Sequence, residues 1–187
     1  MKKKTFVIAL CLALVVAFAA GGAIAWLTDT TDSVTNTFTV GNIDISLAET
    51  TTDFKMIPGN TIAKDPKVTV EAGSEACWLF VKIEESDNLD TYISYTVATG
   101  WTQGDGTSIP ANVYYRSVDA TTAAAGTIYS VLAGDEVTVK DTVTKADMDA
   151  ITAAPTTAPI APTLTFTAYA VQSANVATAA DAWAKIG

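Results

Sequence analysis

The 187-residue chain has no histidine, only two cysteines, and 11 basic side chains against 20 acidic ones. Each shortage removes a class of function. Without histidine there is no imidazole to ligate zinc, no imidazole general base, and no Ser-His or Cys-His nucleophile pair, so most hydrolytic chemistry is excluded. A net charge of −9 offers no basic face to the phosphates of nucleic acid, whose binding depends on clustered lysine and arginine. The cysteines are Cys11, within an apolar run, and Cys77, flanked by Ala76, Trp78, Leu79, Phe80 and Val81. Once a leader is removed one thiol remains, no internal disulfide can form, and Cys77 is expected to be a small buried hydrophobe. Stability then has to come from packing alone, for which this length suffices in one domain.

The first residues read as an export signal. Lys2, Lys3 and Lys4 form a positive n-region, Phe6 to Ala20 is nearly unbroken apolar sequence, and Gly21-Gly22-Ala23-Ile24-Ala25 ends in the small-x-small pattern that signal peptidase accepts. Cleavage is expected between Ala25 and Trp26, giving a secreted product located in the extracellular matrix or at the cell surface. The alternative is a retained anchor, since no charge intervenes between Lys4 and Asp29. The Gly-Gly break and the Ala-x-Ala site, where a spanning helix would want leucines, argue for cutting. Cys11 lacks the small residues that precede a lipid-modified cysteine. Cleavage removes three lysines and no acid, taking the net charge from −9 to −12, and leaves no permanent membrane anchor, because nothing at the C-terminus resembles a sortase signal or a second span.

The remainder reads as strands. Thr37 to Val40, Ile43 to Leu47, Val68 to Val70, Tyr92 to Val97, Asn112 to Val118, Thr127 to Leu132, Glu136 to Val139 and Leu164 to Gln172 show period-two patterning or β-branched and aromatic enrichment. Cys77 to Glu84 is apolar on one face and mixed on the other, as in a central strand. Leu164, Phe166, Ala168 and Ala170 share one side of the last strand. Eight or nine short strands predict an all-β fold, a jelly-roll-like β-sandwich with one or two short peripheral helices. Those helices are expected over Thr144–Ile151 and after Thr178; Thr144/Asp147 and Thr178/Asp181 have capping-box spacing. Ala179, Ala182, Trp183 and Ile186 make an apolar stripe, placing Trp183 at an open edge or end of the sandwich. Ala153 to Pro162, with three prolines, is expected to be an extended surface loop, and Gly104-Asp105-Gly106 a turn rather than a phosphate cradle.

These residues carry a resemblance. The leader ending Gly-Gly-Ala-Ile-Ala, then Trp26-Leu27-Thr28-Asp29, then Asn36-Thr37-Phe38-Thr39-Val40-Gly41-Asn42-Ile43-Asp44-Ile45, resembles the start of the TasA/camelysin family, exported proteins of Gram-positive bacteria whose leaders are processed by the SipW signal peptidase. Pro58-Gly59-Asn60-Thr61, Lys64 to Val70, Ala168 to Gln172 and Ala180-Asp181-Ala182-Trp183 are similar to clostridial members. The resemblance implies a structural subunit of biofilm-matrix fibres, not an enzyme, in which the N-terminal segment of one subunit adds as a strand to the next. It divides the chain into a signal peptide (1–25), a candidate donor segment (26–37) and one β-sandwich domain (38–187). Ala23, Ala25 and Trp26 are the cleavage residues; Trp26, Leu27, Thr28, Val34, Thr35 and Thr37 mark the donor. A threonine-rich, β-branched stretch led by an indole suits strand addition, and donor and acceptor on different surfaces give an open, head-to-tail polymer. The implied partners are further copies of the chain, the signal peptidase during export, and other matrix proteins or polysaccharide; no nucleic acid and no cofactor is expected.

Two rivals come from other classes. Camelysin is described as a cell-surface metallopeptidase, yet without histidine there is no His-Glu-x-x-His pair, and Glu84, Glu85, Asp87 and Asp90 read as a solvated turn rather than a calcium site. A carbohydrate-binding or adhesive module would use exposed aromatics, for which Trp78, Phe80, Trp101, Tyr114, Tyr115 and Tyr129 are the candidates, although alternation sends about half of such side chains into or across the core.

Overall fold

A computed structural model describes residues 41–50, 54–153 and 161–186. The expected leader, its cleavage residues Ala23, Ala25 and Trp26, the donor residues Leu27, Thr28, Val34, Thr35 and Thr37, the Thr37–Val40 strand and most of the Ala153–Pro162 loop lie outside these residues.

Among the described residues ten strands form three antiparallel sheets, an all-β sandwich as the alternation indicates. In the first sheet β3 (Lys67–Val70) lies between β1 (Ile45–Ala48) and β8 (Thr127–Ser130). The second has the order β10-β4-β7-β6, from β10 (Leu164–Gln172), β4 (Cys77–Glu85), β7 (Val113–Val118) and β6 (Thr102–Gln103). The third is β2-β9-β5, from β2 (Thr61–Ala63), β9 (Glu136–Val139) and β5 (Ile93–Ser94).

The central strand β4 shows how one alternating sequence builds two layers. Its odd residues Cys77, Leu79, Val81 and Ile83 pack with Val68 and Val70 of β3, while Leu164, Phe166, Ala168 and Ala170 of β10 flank them, as the shared side of that strand predicts. Its even residues point the other way. Trp78 and Phe80 lie under α3 (Ala179–Trp183), whereas Lys82 and Glu84, beyond the reach of that helix, pair with each other at 2.6 Å in solvent. α3 starts where the sequence says. The Thr178 hydroxyl accepts from Asp181 N–H at 3.1 Å, and Ala179 and Ala182 are buried. Trp183, however, plugs no edge: its ring lies 5.3 Å from Phe80 and 5.7 Å from Tyr169, on the outward face of the four-stranded sheet. The reason is that β4 is apolar on both faces over its first half, and only a helix laid on the outer face removes Phe80 from water.

The expected strand over Tyr92–Val97 is corrected. Leu89–Tyr92 forms a helical turn, α1, followed by only two strand residues and an isolated bridge from Val97 to Leu132. Leu89 and Tyr92, three apart, bury into one cluster with Val137, Val139 and Val143, a spacing that a helix places on one face and a strand cannot. Thr127–Leu132 likewise counts as a strand only to Ser130; beyond it Val131 N–H still bonds to Pro66 O at 3.0 Å and Leu132 bridges to Val97, while the two side chains enter separate cores. The helix α2 (Lys145–Ala153) carries its predicted cap, with Thr144 N–H donating to Asp147 at 2.8 Å and Asp147 N–H returning to the Thr144 hydroxyl at 3.3 Å. The Gly104-Asp105-Gly106 segment is a turn: Asp105 accepts from the backbone N–H groups of Thr107, Ser108 and Ile109.

Candidate functional site

The strand β10 is nine residues long, Leu-Thr-Phe-Thr-Ala-Tyr-Ala-Val-Gln, and carries no charge. It is an end strand, paired with β4 on one side only. The hydrogen bonds that continue the ladder past both ends fix which groups are used: Ser173 N–H donates to Ala76 O at 2.9 Å, and Ser86 N–H to Thr163 O at 3.0 Å. Because the register is uniform between them, the odd residues of β10 bond to β4. The N–H and C=O groups of Leu164, Phe166, Ala168, Ala170 and Gln172 therefore face the other way, where no strand among the described residues pairs with them. At about 3.3 Å per residue this is roughly 30 Å of unpaired edge. No residue along it is fully buried.

The edge of β1 lies opposite. Glu71 N–H bonds to Asp44 O at 2.9 Å, so alternation turns the Ile45 and Leu47 backbone groups outward, away from β3. A groove of about 270 Å³, lined by Leu47, Pro66, Leu164 and Phe166 among others, separates the two edges. The nearly buried Lys64 meets Glu49 at 2.6 Å beside it and sits over the rings of Phe54 and Phe166. The chain after β1 is tied down by Asp65, which accepts from the Thr50 hydroxyl at 2.6 Å and the Thr50 N–H at 2.9 Å. The Thr50 hydroxyl foremost, then its N–H, with Lys67 adding to them, lower the Asp65 carboxyl to about 2.

The other edges are short or covered. β2, β5 and β6 have three, two and two residues. β8 is closed by side chains: the Trp101 indole N–H donates to Ser130 O at 2.9 Å, and the Arg116 guanidinium lies 4.1 Å from the Tyr129 ring centroid and 5.5 Å from that of Trp101.

The aromatic candidates scatter. Phe80 is buried, Trp78 is half-buried with its indole N–H on Val176 O, and Tyr115 packs on both. Tyr129 and one side of Trp101 hold Arg116; of the six candidates, Trp101 and Tyr114 line an open cleft of about 560 Å³, together with Tyr95, Glu85 and others. The Tyr95 hydroxyl donates to Glu85, and burial with this carboxylate raises its pKa. Cys77 is buried, and desolvation pushes its thiol up to about 11. Of the acidic turn, Glu84 is paired with Lys82 and Asp90 with Lys140. Among the described residues no three His, Cys, Asp or Glu side chains converge on a point where a metal ion could sit, and no helix is long and apolar enough to cross a membrane.

The unpaired edge was not singled out in advance. Its sequence signal was present, nine alternating residues without a charge, but an edge position depends on strand order, which no local pattern encodes. Neither a curated protein nor a solved structure matches the chain. Residues 1–77 match the family described as Camelysin metallo-endopeptidase, a likeness confined to the N-terminal region.

Proposed function

We propose that the protein is an exported structural subunit that assembles head to tail into extracellular matrix fibres, the Trp26–Thr37 segment of one copy adding as a strand to β10 of the next. The observation that carries this reading is the long, chargeless, one-sided edge of β10. Sheet proteins ordinarily blunt such an edge with lysine, proline or a bulge because it templates pairing. Each ladder bond contributes a net ~0.5–1.5 kcal/mol, and five residues with two outward groups apiece make a stable interface without needing a particular side-chain code. An acceptor edge on the body and a donor at the amino end form a heterologous contact that propagates.

Export would time assembly. With the leader intact the donor stays tethered at the membrane; cutting after Ala25 frees it beside the cleavage point. A chain with Ala23 and Ala25 replaced by bulky residues is expected to remain membrane-bound and monomeric, and fibres from it would refute the timing. The test of the main reading is electron microscopy of the chain from Trp26 beside one starting at Thr39. Fibres are expected in the first alone.

The family description raises a peptidase, but the chain has no histidine and the described residues offer no donor set for the metal that this description implies. Casein turnover abolished by a chelator would reverse the ordering. The Trp101–Tyr114 cleft favours a subsidiary contact with matrix polysaccharide, which a glycan array would detect.

A further inference from the structure

We infer that the open cleft beside Trp101 and Tyr114 takes a glycan that carries free amino groups, its pyranose ring on the aromatic side chains and its ammonium group on Glu85. This rests on the polysaccharide contact proposed for the cleft and adds the class of sugar and the residue that selects it.

The site follows from the facing of β4. Cys77, Leu79, Val81 and Ile83 occupy the inner face of that strand and are buried. Alternation gives the next inner position to Glu85, opposite Leu164 in the ladder, where the strand ends and the side chain is exposed. A carboxylate at the end of an apolar face is ordinarily paired with a cation. Glu85 is not: among the described residues no lysine or arginine forms an ion pair with it. Its partner is the Tyr95 hydroxyl, which donates to one carboxylate oxygen. Tyr114 of β7 stands on the same inner face, since it pairs with Val81. Burial foremost, then Glu85, raises the pKa of both phenols, so both keep their protons and remain donors. Trp101, just before β6, is the third ring, fixed by its indole bond to Ser130 O at 2.9 Å.

These four residues come from four stretches of chain and line one cleft of about 560 Å³. A second hollow of about 390 Å³ shares Glu85, Tyr95, Gln103 and Tyr114 with it, so the depression continues past the carboxylate. The size suits a small ligand or a short stretch of polymer, for which sites run to about 300–1,000 Å³.

The lining sets the chemistry of the ligand. The rings stand among the hydroxyls and amides of Ser94, Thr96, Gln103 and Asn112. A pyranose has the matching division, a C–H face that packs on an aromatic ring and a rim of hydroxyls that bonds to polar groups. Charge then narrows the choice of sugar. The acids of the cleft are Glu85 and Asp90, and Asp90 is paired with Lys140 at 3.0 Å. No lysine or arginine lines the cleft among the described residues; Arg116, 5.5 Å from the Trp101 ring centroid, is not a lining residue. Acidic polymers are therefore repelled, and Glu85 is left as a charge without a counter-ion beside rings whose faces attract cations. An ammonium group meets both, donating a charge-assisted bond to the carboxylate and lying against the rings. A neutral sugar meets the rings alone, and a proline-rich peptide, which also lies on aromatic side chains, brings no cation to Glu85.

The test is isothermal titration calorimetry of the protein as exported, with a glucosamine tetramer, its N-acetylated counterpart, a galacturonate oligomer and a proline-rich peptide. The glucosamine tetramer is expected to bind at least about tenfold tighter than the acetylated one, the worth of a hydrogen bond to a charged group, and the galacturonate not at all. Glu85→Gln keeps an acceptor for Tyr95 and should erase that preference with the urea midpoint unchanged. Asp149→Asn removes the same charge on α2, from a residue that does not line the cleft. It should leave the preference intact, which separates the site from the general attraction of an acidic chain for a polycation. Equal loss in the two variants would overturn the inference, as would tighter binding of the galacturonate or of the peptide. Equal affinity for the two tetramers would overturn the choice of amino sugar while the polysaccharide contact stands. Binding of no sugar at all would end both.

Discussion

The two flanks of the sandwich solve the same problem in opposite ways. On one, the end strands β6 and β8 face each other and are closed by side chains: the Trp101 indole bonds a β8 carbonyl, and Arg116 fills the space between Trp101 and Tyr129. On the other, no strand among the described residues pairs with the outer backbone groups of β1 and β10, which border a groove. An edge can thus be retired by a single well-placed indole where the strand is short, and an edge kept open is a longer one from which charge has been withheld. Burial shows the same contrast, since β4 hides Cys77, Leu79, Phe80, Val81 and Ile83 while no residue of its neighbour β10 is fully buried.

The sharpest way to break this comparison is a proline scan of adjacent residues. Tyr169→Pro removes an N–H that bonds to β4 and should cost about 3 kcal/mol or more, seen as a large drop in the urea midpoint. Ala168→Pro removes an N–H directed to the free edge; it should leave the midpoint nearly unchanged yet abolish fibres in electron micrographs. Equal destabilisation by both would mean that the edge assignment is wrong. On the closed flank, Trp101→Ala deletes a half-buried ring, its bond to Ser130 and one face of the Arg116 stack, and should lower stability by about 2–3 kcal/mol in urea unfolding. On the outer face of the four-stranded sheet, away from the backbone edge of β10, Thr178→Ala removes the cap of α3 and should cost about 1 kcal/mol while leaving assembly intact. The smallest effect is on pH. The folded Asp65 carboxyl is lowered to about 2, so its contribution is complete above the ordinary carboxylate value and lost as pH falls toward 2. Hydrogen exchange at the Thr50 amide should accelerate between pH 4 and 2 beyond the intrinsic trend, and a flat profile would remove Asp65 as the tether.

Much of the local structure was legible in advance. Period-two alternation located β3, β4, β7, β9 and β10, and the two Thr-x-x-Asp pairs located the starts of α2 and α3. The failures share a cause. Tyr92 to Val97 looks strand-like residue by residue, but Leu89 and Tyr92 face one cluster at helical spacing, and the cluster decides. Trp183 belongs to an apolar stripe under either placement; only the doubly apolar half of β4 explains why it lies on a sheet face rather than at an edge. The aromatic candidates could not be sorted by sequence, because the faces that bury Phe80 and expose part of Tyr114 are set by α3 and by the course of the 93–98 segment.

The chain by itself determined that this is an acidic β protein without histidine chemistry, with a single thiol in its body and strands of known facing. These properties are local: composition sets charge and available ligands, and alternation sets which side of a strand seeks the core. Tertiary structure alone decided that β10 ends its sheet and that Trp101 and Arg116 close the opposite flank. Strand order and the meeting of flanks arise from contacts between residues far apart in the chain, where no periodicity reaches.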